Sequence, residues 1–361
     1  MACTLDSLQW GAQAHTTKMP SVCQSRLLSP DEVERRLPLE GVAAHTVLAG
    51  RAGAGRILRR EERRLALLLG PCSVHCTEEA LEYAGKLRAL QSQLNSFFLI
   101  MRVFVEKPRT RLGWKGMLYD PYLDGSNDLQ EGIVRARKLL LDVNALGVPC
   151  AAEFLDPLAA PYIADLITWG LIGARTSASQ PHRQLASGLP FPVGFKNSVH
   201  GELETAISGI VSAKMPHAHL CIDGSGQIAA AQTTGNPLAH LVLRGSTKGP
   251  NYDALSVQNA LQALREHHVE ERLVIDCAHG NSGKDPTRQC AVFEIAIHHE
   301  GVVALMLESH LSAGKQPLPE EPEQLRYGIS ITDACLGWEE TAELILAADA
   351  RLSTEICSVQ K

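Results

Sequence analysis

The sequence has no long apolar run, no run of basic residues and no cysteine-dense region, and each absence excludes a class of protein. No uninterrupted apolar stretch reaches the roughly 20 residues that span a bilayer, so a transmembrane helix is not expected. No Lys/Arg cluster accompanies the net charge of -6, so neither nucleic acid nor a membrane surface is an expected partner.

The N-terminal region also lacks targeting features. The first 25 residues have no charged start and no apolar middle, and Lys18 is the only basic residue before Arg26. We therefore expect neither a signal peptide nor a transit peptide. We expect the protein to be cytoplasmic. The ten cysteines are scattered through 361 residues, several of them in apolar runs such as 274–277. This distribution favours reduced thiols over a disulfide framework.

What the sequence does contain is a regular succession of apolar runs of strand length from residue 65 onward. The eight runs are 65–72, 97–105, 149–155, 170–175, 191–196, 240–244, 273–279 and 302–308. Amphipathic helical patterns lie between most of them, for instance at 78–94, 128–146, 159–169, 202–212, 256–267 and 286–298. Eight strands that alternate with helices predict an α/β fold, the (β/α)8 TIM barrel.

Two segments fall outside this alternation. In the N-terminal extension, residues 1–60, we expect a loosely ordered arm over 1–25, a helix that begins near Ser29 and stops before Pro38, and a second helix over 41–60. Residues 216–234 predict a β-hairpin inserted between strands 5 and 6. We expect the barrel to occupy 61–361 and the two additions to serve oligomer contacts or regulation, with surface elaboration as the alternative.

A loop with potentially reactive or metal-binding side chains follows the first apolar run. The run stops at Gly70 and Pro71, and the next residues include Cys72 and His75. This stretch alone leaves three interpretations open, namely a nucleophile pair, half of a metal site, or two unrelated loop residues.

Nearly every apolar run has a polar or charged residue at or just after its C-terminal end. The series is Cys72, Arg102 with Lys107, Glu153, Arg175, Lys196, Arg244, His279 and Glu308. In a (β/α)8 barrel these ends meet on one face, where the active sites of the fold lie. We therefore expect a single site that is built from all eight strands.

Cations form the first group in this series. They are Arg102, Lys107, Arg109, Arg175, Lys196 and Arg244. Together in one mouth they would repel one another unless an anion bound there, which predicts a phosphorylated and carboxylated substrate. A lysine among them could also donate a proton if its cationic neighbours lower its pKa. Salt bridges to acids on neighbouring loops are the alternative for any single cation.

Cys72, His279 and Glu308 form the second group. They end the first, seventh and eighth strands, which are consecutive around a closed barrel. A thiolate, an imidazole and a carboxylate suit manganese, iron, cobalt or zinc better than magnesium or calcium. Asp333, in the following loop, is the candidate for a fourth ligand. Four further residues lie close by in sequence and stay open as alternative ligands: His75, Asp276, His310 and Cys335.

The sequence motifs resemble the class I 3-deoxy-D-arabino-heptulosonate 7-phosphate (DAHP) synthases, in particular the microbial type that includes phenylalanine-, tyrosine- and tryptophan-sensitive enzymes. The motif at 70–75 reads Gly-Pro-Cys-Ser-Val-His, and that at 107–110 reads Lys-Pro-Arg-Thr. Further matching segments are 101–106, 113–116, 173–176, 193–197, 243–245, 308–311 and 330–335. The resemblance runs from about residue 30 to about residue 345.

This resemblance implies the metal-dependent condensation of phosphoenolpyruvate with erythrose 4-phosphate, the first step of the shikimate pathway. We expect manganese as the metal, with iron, cobalt or zinc as alternatives. The metal ligands that it implies are Cys72, His279, Glu308 and Asp333. The implied phosphoenolpyruvate contacts are Arg102, Lys107, Arg175, Lys196 and Arg244, with the backbone of Ala174 and with Glu153 close by. The implied erythrose 4-phosphate site consists of Lys107, Pro108, Arg109 and Thr110.

The catalytic residues that we expect are Lys107, Arg102 and His279. In the implied reaction, C3 of phosphoenolpyruvate bonds to the aldehyde carbon, water adds at C2, and phosphate leaves by C–O cleavage. Lys107 is the candidate general acid at the new alkoxide.

The chain departs from the family pattern in three segments, and the first two of them contribute to the inhibitor pocket of sensitive members. Residues 160–162 are Ala-Pro-Tyr where the family commonly has Pro-Gln-Tyr. Residues 188–190 are Gly-Leu-Pro where the family has Gly-Leu-Ser. Residues 196–201 read Lys-Asn-Ser-Val-His-Gly for Lys-Asn-Gly-Thr-Asp-Gly. We expect a homodimer or homotetramer in which control by an aromatic amino acid is weakened or lost.

Two alternative functions remain. A sister enzyme would join phosphoenolpyruvate to another aldose, such as arabinose 5-phosphate, and the motif at 107–110 argues against it. A catalytically inactive barrel would serve as a regulatory or binding subunit. The complete set of ligands and cations argues against this second alternative.

Overall fold

A computed structural model describes residues 25–359 of the chain, with side chains to residue 354. The arm predicted for residues 1–25 lies, except for residue 25, outside the described residues. The strands are β1 (Leu65–Gly70), β2 (Phe97–Arg102), β3 (Cys150–Glu153), β4 (Trp169–Ile172), β5 (Val193–Lys196), β6 (Ala218–Ile222), β7 (Ile228–Gln232), β8 (Ala239–Leu243), β9 (Leu273–Asp276) and β10 (Val302–Glu308).

Ten helices accompany these strands in the described part of the chain. They are α1 (Pro30–Arg36), α2 (Gly41–Leu58), α3 (Thr77–Gln91), α4 (Leu129–Ala145), α5 (Ala160–Ile163), α6 (Gln180–Gly188), α7 (Glu204–Ala213), α8 (Ala254–Glu266), α9 (Arg288–Ala296) and α10 (Trp338–Val359). Short 3-10 turns lie at Ala164–Leu166 and Pro322–Gln324. Within these residues, every helix is too short or too polar to span a bilayer.

Eight parallel strands close into a barrel in the order β1-β10-β9-β8-β5-β4-β3-β2, which confirms the predicted TIM barrel. Both faces of each strand are covered. In β1, for example, Ala66 and Leu68 belong to the cluster inside the barrel, while Leu67 and Leu69 belong to the cluster that includes the helices. Strands buried on both faces need apolar residues along most of their length, which is why their sequences are nearly continuous apolar runs.

The predicted additions are both present. The hairpin β6–β7 pairs antiparallel as a separate two-stranded sheet and lies between β5 and β8 in sequence. Helix α1 begins with a capping box in which Ser29 and Glu32 bond to each other's backbone amides. The C-terminal residues of α2 belong to the same buried cluster as the interior of the barrel. Arg51 of this helix donates to the carbonyl of Ile167, just before β4, so α2 covers the N-terminal end of the barrel.

The continuous helix predicted over 159–169 is wrong. The segment forms the four-residue α5, then the 3-10 turn, and Trp169 already belongs to β4. Arginine side chains from other elements bind the carbonyl groups that a longer helix would use. Arg137 of α4 donates to the carbonyl of Tyr162 at 2.8 Å, and Arg51 donates to that of Ala164 at 2.9 Å. Tertiary contacts therefore outweigh the helical pattern of this segment.

Several strands also end earlier than their apolar runs. β1, β2, β4 and β9 end at residues 70, 102, 172 and 276, two or three residues before the predicted ends at 72, 105, 175 and 279. As a consequence Cys72, Arg175 and His279 lie in the first residues of the loops that follow the strands. The backbone of these loops is free of the strand pleat and can turn the side chains toward a common centre.

Candidate active site

A cavity of about 660 Å³ opens at the carboxyl ends of the barrel strands. Each of the eight barrel strands, or the loop that follows it, contributes at least one residue to its lining. The lining includes every residue that the sequence assigned to the metal or the substrates, namely Cys72, Arg102, Lys107, Pro108, Arg109, Thr110, Glu153, Ala174, Arg175, Lys196, Arg244, His279, Glu308 and Asp333. The four alternative ligands, His75, Asp276, His310 and Cys335, are not among the lining residues. The barrel therefore brings together residues that are separated by up to 261 positions in the chain.

Four donor side chains that suit a transition metal meet on one side of this cavity. Ligand atoms of Cys72, Glu308 and Asp333 all lie within 4.8 Å of one another. The Nε2 atom of His279 lies 3.7 Å from Oε1 of Glu308. The sulfur and the two carboxylates form a group with metal-ligand spacing, and the imidazole of His279 adjoins it through Glu308. This donor set fits a divalent transition metal ion.

His279 has an unusual backbone and a buried partner. Its φ is 52°, in the left-handed region that non-glycine residues seldom adopt. Its Nδ1 atom lies 2.9 Å from Oδ2 of Asp276, a fully buried carboxylate. Burial raises the pKa of Asp276, but His279 and Lys196 outweigh this and the pKa is lowered. Asp276 thus orients the ring, leaves Nε2 facing Glu308, and is better placed as a positioning residue than as a ligand.

Gly70 allows the Cys72 loop to approach β2. Its φ is 152°, and a Cβ at this position would lie 2.7 Å from the backbone oxygen of Arg102. The close approach places Sγ of Cys72 2.6 Å from Nζ of Lys107.

The surroundings of Lys107 are anionic. Burial opposes the charged amine, but Cys72, Glu308 and Asp333 outweigh burial and raise the pKa of Lys107. The effect of these neighbours is opposite to that of the cationic neighbours on which proton donation by a lysine was made conditional above. Lys107 is held as an ammonium group beside the sulfur and the carboxylate oxygens.

Buried cations form the floor of the cavity. Arg102 is 1% exposed and donates through Nη2 to Oε1 of Glu308 at 3.1 Å. Its Nε and Nη1 atoms have no hydrogen-bond partner among the described residues. Lys196 donates to Glu153 at 2.9 Å. Because a buried N–H group without a partner costs about 1–3 kcal/mol, the unpartnered nitrogens of Arg102 favour an anion in the cavity.

The cations nearer the rim are more exposed. Arg175 donates to the hydroxyl of Thr110 at 2.8 Å, and the side chains of Arg109 and Arg175 are exposed. Arg244 is buried, and its burial lowers its pKa. The cavity therefore offers cations at two depths, which suits one anionic group at the floor and a second at the rim.

The structure also shows site residues that the sequence reasoning missed. Glu106 is buried and accepts hydrogen bonds from the backbone amides of Leu155 and Asp156, both at 3.2 Å. Burial raises its pKa to about 8. It ties the loop of Lys107 to the loop after β3 without lining the cavity. Its sequence signals are an acid at the end of an apolar run and its place in the matching segment 101–106. Lys284, whose amine lies 3.7 Å from Oδ1 of Asp333, had no sequence signal.

A second group of side chains has the composition of a metal site. His75, Glu79 and His310 are all buried, and their potential ligand atoms lie within 4.8 Å of one another. His75 and His310 were open as alternative ligands, whereas Glu79 was not identified from the sequence. Cys335, another open alternative, is buried and bonds through its thiol to the backbone oxygen of Asp333.

Comparison with known proteins places this geometry in a family. The sequence model of the DAHP synthetase I family matches residues 43–346. The Tyr-sensitive phospho-2-dehydro-3-deoxyheptonate aldolase of Escherichia coli K12 is 42% identical over 325 residues, covering 88% of this chain and 91% of the relative. The Trp-sensitive enzyme of the same strain is 45% identical over 326 residues, covering 88% of this chain and 93% of the relative.

A solved structure agrees with these sequence matches. The phospho-2-dehydro-3-deoxyheptonate aldolase of Francisella tularensis SCHU S4 superposes with a TM-score of 0.89 at 39% identity. The match covers 92% of this chain and 99% of that one. The family match over residues 43–346, the identity to curated relatives and the shared structure agree, and the chain belongs to the DAHP synthetase I family.

Proposed function

We propose that this chain condenses phosphoenolpyruvate with erythrose 4-phosphate in the cavity described above, on a divalent metal ion held by Cys72, His279, Glu308 and Asp333. The products are DAHP and phosphate. The reaction class follows from the family, so the chain is a DAHP synthase, a transferase of aromatic amino acid biosynthesis.

The observation that carries this proposal is the direct contact between the anion site and the metal site. Arg102 donates one N–H group to Glu308 and leaves two buried nitrogens for an anion. An anionic substrate on Arg102 would therefore lie beside Glu308, one of the side chains that would hold the metal ion. This proximity is what a condensation of two bound substrates requires.

The cations at two depths suggest how the substrates are divided. Arg102, Lys196 and Arg244 are buried and suit phosphoenolpyruvate, with Lys107 and Arg175 beside them. Pro108, Arg109 and Thr110 lie nearer the rim and suit erythrose 4-phosphate, while Ala174 and Glu153 complete the wall. A divalent ion at the four ligands would supply Lewis acidity toward the aldehyde oxygen. The mixed donor set favours manganese, with iron, cobalt or zinc as alternatives.

Lys107 is our candidate for the general acid. Its Nζ atom lies 2.6 Å from Sγ of Cys72 and 3.6 Å from Oδ2 of Asp333, so its protons face the part of the cavity that these two side chains line. Its raised pKa keeps the amine protonated, and a divalent cation beside it would oppose that shift and make the proton easier to donate. Arg102 would bind the anionic group of phosphoenolpyruvate, and His279 would be a ligand of the metal ion.

The N-terminal helices, within residues 1–60, and the hairpin at about 216–234 are proposed to form oligomer contacts of a homodimer or homotetramer. The two additions touch each other, because the amide of Asp31 in α1 donates to the carbonyl of Gly224 in the hairpin turn at 2.8 Å. The hairpin also exposes Leu220 (80%) and Ile228 (82%). Exposed apolar side chains of this size favour burial against another surface.

The substrate assignment predicts a selective, metal-dependent reaction. Phosphoenolpyruvate should be consumed with erythrose 4-phosphate and not with arabinose 5-phosphate. The activity should disappear after chelator treatment and return when Mn²⁺ is added, because the donor set holds the ion that the reaction needs. The measurement is loss of the ultraviolet absorbance of phosphoenolpyruvate with each aldose. Consumption with arabinose 5-phosphate alone would show the sister activity, and no consumption with either would show a binding subunit.

A second prediction concerns regulation. The relatives are named Tyr- and Trp-sensitive, but this chain has Ala160, Pro190 and Ser198 at positions that deviate from the family pattern. Ser198 accepts a hydrogen bond from the amide of Glu202 at 3.0 Å, so its side chain is engaged within its own loop. We propose weakened or lost feedback control. The rate should stay unchanged with phenylalanine, tyrosine or tryptophan near millimolar concentration, and strong inhibition by any of them would contradict the proposal.

A further inference from the structure

A buried cluster of two histidines and one glutamate lies next to the proposed metal site. Oε2 of Glu79 is 3.4 Å from Nε2 of His75 and 3.2 Å from Nε2 of His310. The three side chains are 2%, 5% and 2% exposed for His75, Glu79 and His310. None of them lines the active-site cavity in the part of the chain that the structure describes. These three side chains can therefore influence the active site only through the residues that they contact.

The cluster connects three segments that carry proposed metal ligands. His75 lies three residues after Cys72, and His310 lies two residues after Glu308. The other oxygen of Glu79, Oε1, accepts a hydrogen bond at 2.8 Å from the amide of Gly328, in the segment that leads to Asp333. One carboxylate therefore contacts the segments of Cys72, Glu308 and Asp333.

Glu79 lies on a helix, which holds its side chain in a more fixed position than the loops that it contacts. It lies in the first turn of α3, a 15-residue helix, while the groups that it contacts lie in loops. The partly positive N-terminal end of a helix favours a carboxylate at this position. A side chain on a helix holds its position better than one on a loop, so Glu79 can fix the spacing of the loops around it.

Two imidazoles and a carboxylate are also a donor set for zinc, but the hydrogen bond that His310 accepts argues against His310 as a ligand. The amide of Leu311 donates to Nδ1 of His310 at 2.8 Å. A neutral imidazole whose Nδ1 accepts must carry its hydrogen on Nε2, and Nε2 is the atom that faces Glu79. The N–H group then faces the carboxylate, with Nε2 3.2 Å from Oε2 of Glu79, and the nitrogen has no lone pair to offer a metal ion.

We propose that Glu79 is a positioning residue for the catalytic metal, because it holds the Cys72, Glu308 and Asp333 segments at the spacing that lets them bind one ion. This inference rests on the metal site of the proposed function. Groups that orient metal ligands from outside typically change metal affinity by about 10- to 100-fold when they are replaced.

Replacement of Glu79 by glutamine tests the proposal. The amide keeps the size of the side chain and can still accept from Gly328, but its NH₂ group cannot accept from the imidazoles. In Glu79→Gln we expect Co²⁺ to bind about 10- to 100-fold more weakly than in the wild type. The titration of metal-free protein follows the thiolate-to-cobalt absorption band, which reports ligation by Cys72. Glu79→Asp, which keeps the charge and shortens the reach, should weaken binding too and replaces the glutamine variant if that one does not fold.

Steady-state kinetics separate positioning from general loss of structure. At saturating metal, KM for phosphoenolpyruvate should stay within about twofold of the wild type and kcat should recover, because the substrate cations are untouched. The matched control is Asp349→Asn. Asp349 is a buried carboxylate that accepts from the amides of Asn95 and Ser96, just before β2 at the other end of the barrel. This control should lower the thermal stability and leave the Co²⁺ affinity unchanged.

The contrary outcomes are distinguishable. A wild-type chain without the thiolate band would refute the metal site itself, and with it the proposed function. A normal band in the wild type with equal Co²⁺ affinity in Glu79→Gln would refute the positioning role alone. Elemental analysis that finds two ions per wild-type chain and one in Glu79→Gln would identify the cluster as a second metal site, and would also overturn the proposal.

Discussion

Replacement of Cys72 by alanine should remove metal binding and catalysis together while the chain stays folded. The thiol is 1% exposed and close to Asp333 and Lys107, so its loss takes away the only sulfur among the proposed ligands. A bound metal contributes several kcal/mol to the stabilisation of transition-state charge. Since about 1.4 kcal/mol corresponds to a factor of ten, we expect kcat/KM to fall by at least roughly a thousandfold.

Two measurements check this prediction. Elemental analysis after dialysis gives the metal content, and circular dichroism gives the fold and the thermal stability. Cys150→Ala is the matched control, because Cys150 is also a fully buried free cysteine but lies at the start of β3, outside the cavity lining. The control should lose some stability and keep both metal and activity. Full metal-dependent activity in Cys72→Ala would remove this residue from the ligand set.

Replacement of Arg102 by lysine should lower kcat/KM for phosphoenolpyruvate by roughly a hundredfold. A lysine can keep the contact with Glu308, but it lacks the planar fork whose Nε and Nη1 are left for the substrate. A hydrogen bond to a charged group contributes about 1.5–3 kcal/mol, and loss of one or two such bonds gives a change of this size. Metal content should stay normal because the ligands are unaltered.

The control for Arg102→Lys is the same substitution at another buried arginine. Arg137 is also 1% exposed and binds Asp165 through both terminal nitrogens at 2.7 Å, away from the cavity. Arg137→Lys should reduce the melting temperature without changing kcat/KM. Initial rates over a range of phosphoenolpyruvate concentrations give kcat/KM for both variants and for the wild type. Wild-type kinetics in Arg102→Lys would show that the unpartnered nitrogens do not bind the substrate.

The eight strands were predictable because each is buried on both faces. A strand that faces both the barrel interior and the helices is apolar along most of its length, so its signal is strong and local. The hairpin was predictable for a different reason, since the turn residues 223–226 indicate a reversal of the chain. The interruption of the helical pattern over 159–169 was not predictable. Arg51 and Arg137, which are distant in sequence, bind the carbonyl groups of this segment.

The candidate site divides in the same way. Cys72, His279 and Glu308 were predictable as neighbours because parallel strands that close into a barrel bring their carboxyl ends together in a fixed order. Asp276 could not be assigned, because a spacing of three residues in sequence does not show which of two side chains faces the centre. The pKa of Lys107 could not be assigned either, because it depends on which charges lie within a few ångströms.

The sequence by itself determined the barrel, the face on which the site lies, and the family and reaction class, because these follow from periodic apolar runs and from motifs that are local in the chain. Tertiary structure alone decided which atoms meet. It placed Asp276 behind His279, surrounded Lys107 with anionic groups, and brought Glu79 between His75 and His310. Some of these contacts join distant segments, as Lys107 with Cys72 and Glu79 with His310, and others join residues three or four apart, as His279 with Asp276 and Glu79 with His75. All of them depend on side-chain positions at 2.6–3.4 Å, which packing sets and a sequence pattern does not encode.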